Sequence, residues 1–346
     1  MTEKPLISII IPVFNTPEKY LEHLFACVRQ QTCRDFECII IDDGSCAETA
    51  EFLDRFDFGG SNVQIVHTEN SGVSGARNKG IAKATGDYLA FADADDFFSS
   101  DFVASGIKYV REYHPDIICG VIVYEPPING ELQSGTIPEL LQGNDLTEAK
   151  KSLLNITPRK KAYRILGSPC GKLYHKSILQ NVGFPEGVTN FEDQIFNRLA
   201  FEKASSVLVV PDIWYTYFQN EFSAMHGAFS NDFCRKQKDY WNLCAKLDQD
   251  ENEEIRKGLR RNYIHEYGSI IKENRLRAYA GFKELSAAFS VLAAHPVMKD
   301  AVSNLSIWNR SLTKKQKLHL ALLKMKAYPV FALEQLLLNG RKNTEN

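Results

Sequence analysis

The sequence predicts an α/β fold: a mostly parallel sheet flanked by helices, followed by a helical C-terminal extension. Two observations carry this. Between residues 6 and 124, short apolar runs rich in β-branched side chains alternate with segments of helical periodicity, and the connections are short. From Asn231 onward the pattern is almost wholly helical.

Each element has its own signal. Residues 6–14 are a continuous apolar run, as expected of a strand buried on both faces. Leu21, Leu24, Phe25 and Val28 recur at helical spacing behind Pro17 and Glu18, which suit a first turn. Residues 36–41 form a second strand, 47–56 a short helix and 63–67 a third strand, then a glycine-bearing loop and a helix over 76–84. Residues 88–92 and 116–124 supply the fourth and fifth strands. Past Pro126 the pattern loosens: 130–143 is polar and turn-rich, and further strand candidates lie at 172–175, 206–210 and 214–218.

A chain of 346 residues exceeds the usual single-domain size, so a large domain over 1–225 and a helical region over 226–346 are expected. Hydrophobic content of 44% and charged content of 24% are globular values, and a net charge of −2 gives no reason to expect a nucleic-acid partner. The eight cysteines show no CxxC pair or metal-ligand spacing and read as reduced, mostly buried hydrophobes, which suits the cytoplasm. The 6–14 run lacks a basic leader and a cleavage site, and no stretch of about 18 apolar residues predicts a membrane span.

The chemistry-bearing clusters follow predicted strands, and parallel sheets bind ligands outside the carboxyl ends of their strands. Phe14 and Asn15 follow the first strand, Asp42-Asp43-Gly44-Ser45 the second, and Asp93-Ala94-Asp95-Asp96 the fourth. Five carboxylates on one edge repel one another unless a cation or donors offset them, which points to Mg²⁺ or Mn²⁺. In an extended segment Asp93 and Asp95 face the same way and address one ion. The alternative is an acidic turn capping a helix near Ser99 or Ser100; the second acidic pair on the same edge favours the metal. The Asp42-Asp43 turn either caps the next helix or accepts the imide N–H of a uracil, with Phe14 offering the base an apolar face.

The loop and helix from Asn70 through Gly72, Arg77 and Asn78 to Gly80 match neither a dinucleotide fingerprint nor a P-loop. Small residues entering a helix with a guanidinium still suit an anion, so Arg77 either clamps a diphosphate or bridges carboxylates. Glu192 and Asp193 open an amphipathic helix; acids there stabilise the helix dipole, and a carboxylate facing a cleft also serves as a general base.

Together these residues resemble the family 2 inverting glycosyltransferases of GT-A (Rossmann-like) fold. The resemblance is carried over residues 5–102 by SIIIPVFN at 8–15, QT at 31–32, IDDGS at 41–45, GARNKG at 75–80, GDY at 86–88 and DADD at 93–96. It continues more thinly through KLY at 172–174, Glu192-Asp193 and YTY at 215–217, and departs from the family pattern at Cys170-Gly171. It implies a nucleotide-sugar site built from Pro12, Phe14, Asn15, Asp42, Asp43, Gly72, Arg77, Asn78, Asp93 and Ala94. Asp43 would bind the base, Asp95 and Asp93 the metal, with His226 closing over it, and Asp193 would be the catalytic base supported by Glu192. The implied activity is a hexosyl transfer with inversion, from a nucleotide-diphosphate sugar, uridine-linked by analogy, to a saccharide or lipid-linked saccharide acceptor in capsule, lipopolysaccharide or exopolysaccharide synthesis.

Two rivals are a sugar-phosphate nucleotidyltransferase and a non-catalytic nucleotide-sugar-binding protein. The first wants a basic, glycine-rich loop after strand one, where this chain has Pro12 to Pro17; the second needs neither Asp95 nor Asp193. Residues 312–338 combine leucines with Lys314, Lys315, Lys317, Lys324 and Lys326. They either pack on the domain with lysines solvated, or dock peripherally on the anionic inner face of a cell membrane.

Overall fold

The computed structural model describes residues 4–125, 137–153, 167–188, 191–218, 233–249, 251, 253–272, 276 and 281–343. The chain divides into two compact units: Met1–Leu153 with Arg159–Ala224, and Leu154–Pro158 with Met225–Asn346.

The first unit is built on a nine-stranded sheet ordered β3 (Val63–His67), β2 (Phe36–Asp42), β1 (Ile7–Val13), β4 (Tyr88–Phe91), β8 (Lys172–His175), β6 (Ile117–Glu125), β9 (Val207–Phe218) and β5 (Phe97–Phe98), with β7 (Glu139–Leu141) also paired to β9. β1 (Ile7–Val13) and β2 (Phe36–Asp42) are apolar along nearly their whole length because parallel neighbours and helices cover both faces. β3 (Val63–His67) flanks β2, and β4 (Tyr88–Phe91) flanks β1 on its other side, all in parallel. α1 (Glu18–Arg29), α2 (Ala47–Arg55) and α3 (Gly72–Lys83) are the crossovers. Phe25 of α1 packs against Phe52, Phe56 and Phe58, closing one face of the sheet. α3 starts four residues earlier than its apolar spacing predicts, because its first turn is Gly-Val-Ser-Gly, with Val73 exposed and no other large apolar side chain.

The parallel character is concentrated in this half. β5 (Phe97–Phe98), α4 (Phe102–Tyr113) and β6 (Ile117–Glu125) follow, then β7 (Glu139–Leu141), α5 (Gly143–Leu153), β8 (Lys172–His175), α6 (Glu192–Lys203) and β9 (Val207–Phe218). β8 runs antiparallel to both β4 and β6, while β9 runs parallel to β6 and antiparallel to β5 and β7. Apolar periodicity carries no strand direction, so this mixture was not readable from pattern.

The two late strand candidates are one strand. β9 passes through Pro211 with register shifts against β6, so the residue that lacks an N–H sits in a bulge. The same region brings Trp214 over Gly120, where a Cβ would lie 2.5 Å from the indole. The Gln31-Thr32 pair serves the fold. Gln31 donates to Ser99 O at 2.8 Å and accepts from Val103 N at 3.0 Å, tying α1 to the chain after the acidic cluster.

In the order 3-2-1-4 the direction of winding reverses between β1 and β4, and the crevice there is where such sheets accept ligands. At the opposite, amino-terminal edge lies a cavity of about 500 Å³ lined by Lys4, Asp35, Asp87, Arg111 and His175. Its charges pair among themselves, Lys4 with Asp87 and Arg111 with Asp35.

The second unit is helical where described: α7 (Phe233–Asp248), α8 (Glu253–Lys272), α9 (Phe282–Ala293), α10 (Pro296–Asn304), α11 (Lys314–Lys324) and α12 (Tyr328–Asn343). Its core gathers Tyr267, Phe289 and Phe331, each fully buried. No described helix is long and apolar enough to cross a membrane. No disulfide forms among the described residues.

Candidate active site

The carboxyl ends of β1 and β2 form one wall. Phe14 leaves β1 with 52% of its surface exposed, unusual for a large apolar ring beside a buried strand. Asn15 adopts φ 49°; its N–H donates to Ser45 Oγ at 3.0 Å and its Oδ1 accepts from Cys46 N at 2.8 Å, locking the β1 and β2 exits together. Pro12 lies within β1 opposite Ile41.

Asp42 and Asp43 are both buried but play different parts. Asp42 accepts from Ser45 N at 3.0 Å and lies 2.6 Å from His67 Nδ1. Burial alone would raise its pKa, yet the hydrogen bonds from Ser45 and His67 hold it below the usual carboxylate range. Asp42 therefore stiffens the turn, with both its oxygens engaged. Asp43 Oδ1 accepts from Ser71 N at 2.8 Å and Ser71 Oγ at 2.9 Å, with Lys79 Nζ 3.7 Å away. Gly44 has φ 75°, and a Cβ there would meet Asn70 N at 2.8 Å, so this close approach requires glycine. Gly72, also at positive φ, opens α3 beside this turn.

The acidic cluster is a turn, not the extended segment expected of alternating carboxylates. Asp96 N donates to Asp93 O at 3.2 Å, Ala94 is buried, and β5 separates the turn from α4, so no helix is capped by it. Asp93 Oδ1 accepts from Arg77 Nη2 at 2.6 Å, and its Oδ2 receives the Cys170 thiol at 3.6 Å. Asp93 and Asp95 are half-buried, whereas Asp96 is 1% exposed. Burial, then the charges of Asp93 and Asp95, push Asp96 up to about 8.

Arg77 is the hub. It is 4% exposed, lies 4.9 Å over the Phe184 ring, and reaches Glu192 Oε1 with Nη1 at 3.3 Å while holding Asp93 with Nη2. Arg77 bridges two carboxylates, and they lie inside the site rather than on the surface. Asn78, expected among the nucleotide-sugar contacts, instead donates to Phe184 O at 2.9 Å and accepts Phe184 N at 2.8 Å, fastening the segment that carries the Phe184 ring.

On the far side α6 begins after Phe191, which adopts φ 65°. Asp193 Oδ1 accepts the Gln194 amide at 2.7 Å. Burial first, and the neighbouring Glu192 charge second, push its carboxyl up to about 7. Arg77 thus gathers Asp93 and the Glu192-Asp193 pair, far apart in sequence, at one sheet edge. His226 lies outside the described residues, and among the described residues no group of three or more His, Cys, Asp or Glu is placed to hold a metal ion.

Sequence reasoning counted Asp96 among the edge carboxylates but did not single out Cys170, Tyr215 or Lys172 as members of this site. Tyr215 OH accepts Asp93 N and donates to Asp96 Oδ2, both at 2.9 Å. Lys172 is 2% exposed and donates to Ser168 O at 2.5 Å, its pKa lowered by burial. The KLY and YTY segments were the available signal, but their partners are distant in sequence.

The glycosyl transferase family 2 model matches residues 8–183, just over half the chain and every strand from β1 through β8. The chain is 27% identical over 236 residues to glycosyltransferase GlyG of Streptococcus pneumoniae, covering 66% of this chain and 76% of that protein. It is 30% identical over 217 residues to a poly(ribitol-phosphate) beta-glucosyltransferase of Bacillus spizizenii, 61% of this chain but 32% of that protein. Among solved structures it is similar to residues 1–349 of TarS from S. aureus, with a TM-score of 0.67 at 18% identity over 96% of this chain and 91% of that one. That likeness shows the GT-A fold. The matched stretch carries the β1 and β2 wall of the crevice, Arg77 and the acidic turn, with Glu192 and Asp193 just beyond it, and on that ground this chain belongs to glycosyl transferase family 2 and is a glycosyltransferase.

Proposed function

We propose that this glycosyltransferase moves a sugar, with inversion, from a uridine-diphosphate sugar to an acceptor hydroxyl in bacterial surface-polysaccharide synthesis, and that it depends on a divalent metal. The observation that carries the reading is Arg77, which draws the acidic turn and the Glu192-Asp193 pair to the switch point of the sheet. Support for the donor comes from TarS, which has been crystallised with UDP-GlcNAc and with UDP.

The residues fit a hard cation. Mg²⁺ is commonly held by one or two carboxylates together with substrate phosphates, and Asp95 and Asp93 offer such a pair where three acids crowd one turn. When bound, the ion would offset charge on the departing diphosphate. Phe14 would pack on the uracil, and Asp43, on its Ser71 support, would face the base side. Asp193 Oδ1 is taken by the Gln194 amide, which leaves Oδ2 to receive the acceptor's proton. The acceptor oxygen forms its bond to the anomeric carbon as the carbon–phosphate oxygen bond breaks on the opposite face, and the proton goes to Asp193. Arg77 contributes by fixing Asp93 and Glu192.

A panel of nucleotide sugars assayed with Mn²⁺ or Mg²⁺ tests this. The expected result is turnover of a UDP sugar that is abolished by chelator, with inverted configuration by NMR. Turnover indifferent to chelator rejects the metal, a retained anomer rejects the mechanism, and absence of binding to every nucleotide sugar rejects the donor reading.

The division of labour we infer is catalysis in 1–225 and acceptor or membrane contact in 226–346, at the cytoplasmic face of the cell membrane. In α11 and at its C-cap, Leu318 and Met325 are 57% and 67% exposed beside Lys314, Lys317 and Lys324, and α12 exposes Val330, Leu333 and Leu337. Apolar side chains among lysines suit an anionic lipid surface, each basic residue contributing about 1 kcal/mol. Co-sedimentation with phosphatidylglycerol vesicles, and not with phosphatidylcholine vesicles, is expected; equal recovery with both rejects the electrostatic part.

A further inference from the structure

A single hydroxyl spans the acidic turn. Tyr215 is 3% exposed; it accepts the Asp93 N–H and donates its own proton to Asp96. Asp96 takes a second bond from Phe218 N at 2.9 Å, so two residues of β9 grip one buried carboxylate. The turn is closed by a 3.2 Å bond from Asp96 N to Asp93 O. β9 at this point is itself held on both sides, since Tyr215 pairs with Phe98 of β5 and with Ile122 of β6. The acidic turn therefore hangs between β4, which leads into it, and β9, which anchors its far end.

We propose that Tyr215 and Asp96 are positioning residues that hold the Asp93–Asp95 turn in the conformation that binds the nucleotide-sugar donor. The proposal rests on the reading of that turn as the donor side of the site. The charges of Asp93 and Asp95 repel each other and oppose a charge on Asp96, so an unsupported turn opens. A neutral hydroxyl that accepts at one end and donates at the other resists this without adding charge. Asp96 lies too deep to touch a ligand, so its effect passes through the turn. When a binding-competent conformer is only partly populated, apparent affinity falls by that fraction.

Tyr215→Phe keeps the ring packing and removes only the hydroxyl; Asp96→Asn keeps an oxygen for Phe218 N but removes the carboxylate that Tyr215 addresses. Each variant is expected to weaken UDP binding, measured by calorimetry with Mg²⁺ present, and to raise the donor KM, both by about tenfold. The acceptor KM stays within about twofold, a split that general loosening of the fold does not produce. The double variant binds UDP no more than about twofold worse than the weaker single variant, because both break the same link. Thermal melting of all three reports whether they fold; should Tyr215→Phe not fold, Asp96→Asn carries the test. UDP affinity within twofold of the parent in the folded variants overturns the proposal, as do donor and acceptor KM rising together or single effects that multiply. If the parent itself binds no nucleotide diphosphate, the donor-site reading falls and this with it; if the parent binds and Tyr215→Phe binds equally, this proposal alone falls.

Discussion

Asp193→Asn is expected to lower turnover by about 10³-fold while UDP-sugar affinity stays within twofold, as measured by steady-state kinetics beside calorimetry. The amide is isosteric and still accepts the Gln194 N–H through its oxygen, so the start of α6 is retained and only the proton acceptor is lost. The parent's rate should carry the signature of the same group. Its carboxyl sits at about 7, raised by burial and by Glu192, so the deprotonated fraction that acts as base grows about tenfold per pH unit below 7 and levels off above it. A general base with an unperturbed carboxylate would instead give a flat profile from pH 5 upward. Stability runs the other way. Between about pH 4 and 7 the folded protein holds a proton on Asp193 that the unfolded chain has released. The stabilisation from that proton is complete below pH 4 and is lost as pH rises through 7. Asp193→Asn, which cannot ionise, should therefore melt no lower than the parent at pH 8 even though it is inactive. Undiminished turnover in the variant, or a rate flat across pH 5 to 8, removes Asp193 from the role of base.

What the sequence made legible follows from how each element is buried. β1 and β2 are read from pattern because a strand covered on both faces must be apolar throughout. β9 is not, because Pro211 and Asp212 interrupt its apolar run and only the bulge against β6 shows that the strand continues. The acids at 93–96 were recognisable as chemistry, but their shape was not; a buried Tyr215 hydroxyl 122 residues from Asp93 leaves no local trace of the bond that shapes the turn. Cys170 is similar: a departure from the family pattern in sequence, it fills the space behind Asp93 and points its thiol at that carboxylate. Asn78 shows the reverse case, a close neighbour in sequence whose partner lies elsewhere. It lies one residue from Arg77 on the same helix, yet successive helical residues face different directions, and its amide meets the Phe184 backbone.

Arg77→Ala should have the largest effect on the fold and a comparable one on activity. The guanidinium joins two carboxylates, Asp93 at 33% and Glu192 at 14% side-chain exposure, through separate nitrogens. Removing it leaves both acids facing each other without a counter-charge and strips the cation from the Phe184 ring. Breaking a buried pair from one side costs about 3 kcal/mol, which for a unit of this size corresponds to a melting point lower by about 6–12 °C. Turnover should fall by at least about 100-fold, because repulsion moves the acidic turn away from the Glu192-Asp193 pair by the ångström or so that a reacting geometry cannot absorb. Arg77→Lys separates the two consequences. A lysine restores one positive charge but presents a single ammonium where two forked nitrogens are needed, so it recovers part of the melting temperature and little of the rate. If Arg77→Lys restores turnover in full, net charge alone is what the site requires and the fork is irrelevant. If Arg77→Ala melts within about 2 °C of the parent, the two carboxylates do not depend on it, and the hub that places Asp93 beside Asp193 must be sought elsewhere.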